Sequence, residues 1–192
     1  MSPIVVMMHG YGSNEEDLTG LMNYLPGNLP WVSLQAPLPL SFGSYAWFPL
    51  AAPGVPKAEH VLEATAGIWA WIDANLPANA PLIAMGFSQG GLMATQLLRT
   101  RPERIVGTVV LSGFTLAESQ ALDEKIAAAR PRTIYTIGLN DQMITGPTVE
   151  RTKEWLTAHT DATIHSYEGL AHSIDERVLA DVSKYLLEIL PS

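Results

Sequence analysis

Apolar runs rich in β-branched residues recur along this chain at residues 4–8, 31–34, 82–85, 105–111, 133–137 and 162–167. Between them lie longer segments whose apolar residues keep a helical period, at 15–25, 58–76, 89–100, 148–158 and 175–189, with a shorter one at 116–129. Strands that return to one sheet in parallel need a crossover, and an amphipathic helix supplies it. The alternation therefore predicts an α/β chain with a mostly parallel sheet of about six strands and helices on both faces. Two helix starts carry capping boxes, Ser13 with Glu16 and Ser173 with Glu176, in which the hydroxyl accepts from a backbone N–H the helix leaves free. Pro147 suits a first helical turn.

At 192 residues the chain fits one domain, 1–192, and can bury roughly 70% of its unfolded surface. It has no cysteine, which excludes a cysteine nucleophile, a disulfide framework and thiolate metal sites. A formal charge of -8 argues against nucleic acid or an anionic membrane as partner, because both require clustered Lys and Arg. The first residues lack the basic flank of a secretory signal. No run approaches the roughly 20 apolar residues that span a bilayer, so a cytoplasmic protein without stable membrane insertion is expected.

The irregular segment 36–56 holds five prolines, two glycines and the aromatics Phe42, Tyr45, Trp47 and Phe48. Loops longer than about 15 residues are uncommon without a functional or packed role. Its composition suits either an apolar substrate wall or a compact loop pinned by its own aromatics.

Gly86-Phe87-Ser88-Gln89-Gly90 lies between the run at 82–85 and the helical pattern from 89. Strand, Gly-x-Ser-x-Gly, helix is the setting of a nucleophile elbow, in which a strained serine points its hydroxyl outward above the sheet. A serine is a weak nucleophile at neutral pH and needs a base, itself oriented by an acid. Three histidines follow Ser88. His159 ends a helix, where a cation suits the dipole, and His165 falls inside a strand. His172 sits after the last strand and before a helix start, at the same sheet edge as the elbow, and is the expected base. Asp141, in the loop after the run at 133–137, is the expected acid; Asp123 lies in a charged helical stretch and reads as solvated. Asp141 would hold the imidazole in its productive tautomer without taking the proton.

Attack on a carbonyl leaves charge on oxygen, which requires preorganised donors. The backbone N–H of Gln89 supplies one, and that of Tyr11, in the loop His9-Gly10-Tyr11-Gly12 after the first strand, is the natural second. His9 ends a buried strand ahead of the nucleophile, so it is expected to shape this loop by a structural hydrogen bond.

Together these residues resemble the phospholipase/carboxylesterase family of α/β-hydrolases, which includes acyl-protein thioesterases and small bacterial carboxylesterases. The matching pieces are the run from His9 to Leu18, Ala46-Trp47-Phe48, Gly86-Phe87-Ser88-Gln89-Gly90-Gly91, Gly138 to Asp141, and Gly169-Leu170-Ala171-His172, in the family's order. The resemblance carries over Ser88, Asp141 and His172 as triad, Tyr11 and Gln89 as oxyanion donors, and Trp47 and Phe48 as substrate-binding residues near the mouth of the site. It departs in two places. The family usually has further strands before the His-Gly loop, so a shortened sheet edge is implied, left short, covered by 36–56, or used to form a homodimer. Asp141-Gln142-Met143-Ile144-Thr145 replaces a stretch that often holds valines and a proline.

The expected activity is hydrolysis of carboxylic esters of short to medium acyl chains through a serine acyl-enzyme, on a small-molecule ester or acyl-protein substrate, with no metal or organic cofactor. The rate should rise with pH through an apparent pKa of about 6 to 7 as free imidazole becomes available. A thioesterase on acylated proteins or acyl-CoA would use the same intermediate. A lysophospholipase lacks an evident basic or amphipathic surface element. A catalytically silent binding module is the rival from another class.

Overall fold

The computed structural model describes residues 1–26, 29–50 and 56–190. Six strands form one sheet: β1 (Ile4–Met8), β2 (Trp31–Leu34), β5 (Leu82–Phe87), β6 (Ile105–Leu111), β7 (Arg132–Gly138) and β8 (Asp161–Tyr167). A separate antiparallel pair, β3 (Leu38–Pro39) and β4 (Tyr45–Ala46), lies within the 36–56 segment, whose residues 51–55 fall outside the described set. The helices are α1 (Ala58–Asn75), α2 (Gln89–Thr100), α3 (Asp123–Ala129), α4 (Gly146–His159) and α5 (Glu176–Ile189).

The sheet runs β2-β1-β5-β6-β7-β8, with every neighbouring pair parallel. The chain thus leaves β1 toward one edge and resumes at β5 on its other side. Such a reversal of strand order opens a crevice at the carboxyl ends of the strands. Met8 stands beside Gly86 in that register, so the loop after β1 and the turn after β5 meet there.

Strand parity assigns the two cores. Val6, Met8, Leu82 and Ala84 pack against Ile68 and Ile72 of α1 and Leu92 and Leu97 of α2. Val5, Met7, Ile83 and Met85 face the other way, against Val178, Val182, Tyr185 and Leu186 of α5. All eight of these β1 and β5 side chains are fully buried, and burying each stabilises the fold by about 1.5–3 kcal/mol for the larger ones. α4 covers Val110, Tyr135 and Ile137 through Leu156.

Three local expectations are corrected. Residues 15–25 form turns and a short 3-10 helix, Thr19–Asn23, rather than an α-helix capped by Ser13. The Ser13 backbone pairs with Tyr45 instead, and the Asn14 side chain accepts from Glu16 N–H at 3.0 Å, an Asx turn that offers the backbone an alternative to helix. α5 is capped by Asp175, whose carboxylate accepts from the N–H groups of Arg177 and Val178, while Ser173 N–H donates to the Ala171 carbonyl. A carboxylate satisfies two free donors and complements the positive end of the helix, so it displaces the hydroxyl from that position. The helical pattern at 116–129 is shortened to α3. Among the described residues no helix is long and apolar enough to cross a membrane.

Candidate active site

Ser88 connects β5 to α2 with no intervening loop, at φ 55° and ψ -115°. A non-glycine residue in this region costs about 1–3 kcal/mol and persists only where its surroundings enforce it. The enforcement is visible: Ser88 N–H donates to the Leu111 carbonyl at 2.8 Å, and the Ser88 carbonyl accepts from Gly91 and Leu92, starting α2. The two flanking glycines are steric requirements. A Cβ on Gly86 would strike the Gly90 carbonyl, and one on Gly90 would strike the Met8 carbonyl.

His172, in the loop between β8 and α5, lies 2.8 Å from Ser88 Oγ through Nε2 and 2.7 Å from Asp141 Oδ2 through Nδ1. A carboxylate only accepts, so Nδ1 carries the proton and Nε2 is left to accept from the Ser88 hydroxyl. The Asp141 side chain is 1% exposed. Its second oxygen accepts from the N–H groups of Met143 and Ile144 at 2.8 and 2.9 Å, which fixes the carboxylate. The acid loop is tied to the histidine loop by Asn140 N–H donating to the Leu170 carbonyl.

The N–H groups of Tyr11 and Gln89 have no protein acceptor among the described residues, and both residues line the cavity that holds Ser88 and His172. His9 beneath the Tyr11 loop is fully buried. Ala36 N–H donates to its Nε2 at 3.1 Å, so its Nδ1–H donates to the Gly10 carbonyl at 2.7 Å. Burial pushes the His9 imidazole below its ordinary value, against smaller opposing effects from the Gly10 carbonyl, Asp17 and Glu15. A neutral imidazole shapes the loop.

Trp47 and Phe48 are not at the mouth of this cavity; they are 3% and 0% exposed. Trp47 donates its indole N–H to the His9 carbonyl and its backbone N–H to Gln89 Oε1, and Gln89 Nε2 donates to the Phe48 carbonyl. These bonds turn both rings inward, where they line a neighbouring cavity of about 630 Å³ against α1. Their place is that of a brace behind Gln89 and the Tyr11 loop.

The Ser88 cavity, about 350 Å³, is walled by Phe87, Phe114, Leu116, Met143 and Ile144, with Arg151 of α4 the one cation among its lining residues. Sequence reading missed the 114–118 wall and Arg151. It also misplaced Asp123, which is buried and paired with Arg99 at 2.6 Å. Arg99 further donates to the carbonyls of Leu116 and Glu118, at 2.9 and 2.8 Å, and so holds that wall from behind. Burial, the largest single influence, would raise the Asp123 carboxyl, but the Arg99 hydrogen bonds, the Gln120 N–H and the Arg99 charge together keep it below the usual carboxylate value. The remaining histidines lie elsewhere: His60 lines the neighbouring cavity, His159 stacks on Trp155, and His165 lies 3.5 Å from Asp181. Among the described residues no group of three or more His, Asp or Glu could hold a metal ion.

A family model described as Phospholipase/Carboxylesterase matches residues 1–190. Among solved structures, the chain is similar to a Bacillus cereus carboxylesterase, with 20% identity and a TM-score of 0.83 over 98% of this chain and 89% of that one. Arabidopsis thaliana SOBER1 is 21% identical, with a TM-score of 0.79 over 98% and 99% of the two chains. Esterase PE8 is 27% identical, with a TM-score of 0.75 over 98% and 93%.

Proposed function

Because the chain belongs to the phospholipase/carboxylesterase family of hydrolases, we propose that it is a serine carboxylesterase acting on esters of short to medium acyl chains through an acyl-enzyme. The observation that carries this reading is the unbroken hydrogen-bonded line from Ser88 Oγ through His172 to Asp141, at 2.8 and 2.7 Å, on a strained turn beside two free amide donors. His172 Nε2 takes the hydroxyl proton as Ser88 Oγ attacks the ester carbonyl, and Asp141 stabilises the imidazolium without becoming protonated. The carbonyl electrons move to oxygen, where the N–H groups of Tyr11 and Gln89 receive the charge. Collapse breaks the bond to the alcohol oxygen, which leaves with the proton from His172. Water, deprotonated by the same nitrogen, then releases the acid and restores Ser88. An apolar cavity of about 350 Å³ favours a short or medium acyl chain over a long one.

Treatment with a fluorophosphonate followed by peptide mapping tests the reading. A single adduct on Ser88, absent in Ser88→Ala, is expected. Folded protein that takes up no label overturns it. Aryl esters of increasing acyl length, assayed beside an acyl-CoA and an acylated peptide, then rank the acyl donors.

A further inference from the structure

Arg151 has no part in the chemistry above, yet it faces the same cavity as Ser88 and His172. It stands three residues after Thr148, on the stripe of α4 that lines the cavity, and not with exposed Glu150 and Glu154. Its Nε is shut off from solvent and has no hydrogen-bond partner among the described residues. Nor does its guanidinium enter any of the ion pairs found among them; its neighbour Glu150 pairs with Lys153 instead. Glu118, the acidic residue lining this cavity, is exposed at its rim, where water screens it.

A guanidinium stays charged at any working pH, and withdrawing its Nε–H from water without a partner is costly, while the half-buried side chain leaves its two amino groups within reach of a ligand. The walls around it are Phe87, Phe114, Leu116, Met143 and Ile144, which suffice for a neutral acyl chain. A cationic fork of free donors among such walls matches a planar anion, which it can grip through two parallel hydrogen bonds. We propose that Arg151 is a specificity-determining residue that binds a carboxylate carried by the substrate, so that the preferred esters are anionic ones. This rests on the esterase reading, within which it names the substrate class.

Two matched pairs test it: mono-4-nitrophenyl adipate against 4-nitrophenyl hexanoate, with the charge on the acyl part, and 4-acetoxyphenylacetate against 4-methylphenyl acetate, with the charge on the alcohol part. For each protein the ratio of kcat/KM, anionic over neutral, is taken after subtracting spontaneous hydrolysis. A general loss of activity leaves that ratio in place. The ratio in at least one pair is expected to fall by roughly 10- to 100-fold in Arg151→Met, with Arg151→Lys intermediate, because an ammonium keeps the charge but not the fork. The pair that responds tells which part of the ester carries the carboxylate. Ratios equal in wild type and Arg151→Met for both pairs overturn the proposal. Fluorophosphonate labelling of Ser88 certifies that each variant is folded, and Arg151→Gln replaces Arg151→Met if the latter does not label. Wild-type protein that neither labels nor hydrolyses any of the four esters refutes the esterase reading itself, a result distinct from equal ratios.

Discussion

Two histidines stand in loops at the carboxyl ends of the sheet, His9 after β1 and His172 after β8, and their partners divide their roles. Both nitrogens of His9 are committed to backbone groups, the Gly10 carbonyl and the Ala36 N–H, and the ring is fully buried. His172 spends one nitrogen on the Asp141 carboxylate and turns the other toward a hydroxyl at the edge of a cavity. A backbone amide neither gives up nor accepts a proton in this pH range, so His9 can hold a shape and nothing more. A carboxylate stabilises the imidazolium form, and a hydroxyl can lose its proton, so His172 has both ends of a transfer in place. The lesson is that the chemistry of a loop histidine is set by what its two nitrogens touch.

The largest expected effect tests the His172 side. Ser88→Ala or His172→Ala should lower kcat by roughly 10⁴- to 10⁶-fold with the unfolding transition little changed, and the double variant should lose no more than either single one. Asp141→Asn comes next, at about 10⁴-fold, since an amide in place of the carboxylate permits the wrong tautomer. On the other side, His9→Ala should reduce kcat by no more than about 100-fold through a loosened oxyanion loop. The same change should cost about 2–4 kcal/mol of stability in urea, because the Ala36 N–H and Gly10 carbonyl lose their partner. A kcat loss from His9→Ala as deep as that from His172→Ala would break the comparison.

The smallest effect is a slope. The folded His9 titrates below its ordinary value of 6.5, so below that pH the unfolded chain binds a proton that the folded chain does not. Stability should therefore fall as pH drops from about 7 toward 5. Urea midpoints across that range should fall less steeply in His9→Ala than in wild type. Equal slopes would mean that His9 is not kept neutral by the fold. Asp123, also depressed, acts only at lower pH, near and below the usual carboxylate value of 3.8.

What the sequence makes legible is what local sterics dictate. The central strands β1 and β5 follow from continuous apolar runs, and the turn at Ser88 follows from glycines whose hydrogens are the only substituents that fit. His172 and Asp141 could be placed by their position after strands, and the fold brings them to hydrogen-bonding distance of one another and of Ser88. What escapes is decided by partners far along the chain. Ser13 looks like a cap until Tyr45 claims its backbone. Asp123 looks solvated until Arg99, on a different helix, buries it. Trp47 and Phe48 look like a substrate wall until His9 and Gln89 draw them inward. Arg151 gave no signal because nothing in its neighbourhood of sequence marks it as facing the cavity.

The Gln89 tether has a consequence for heredity. Its side-chain amide reaches the main chain of the facing segment, donating to the carbonyl of residue 48 and accepting from the N–H of residue 47. Every amino acid offers that carbonyl, and every one but proline offers that N–H. A lineage can therefore exchange the aromatic at 48 freely as far as this link is concerned. At 47 the link bars only proline, while the indole bond to His9 is a separate constraint. The coupling is passed on through one glutamine and an anonymous stretch of backbone, and drift in the facing segment leaves it standing.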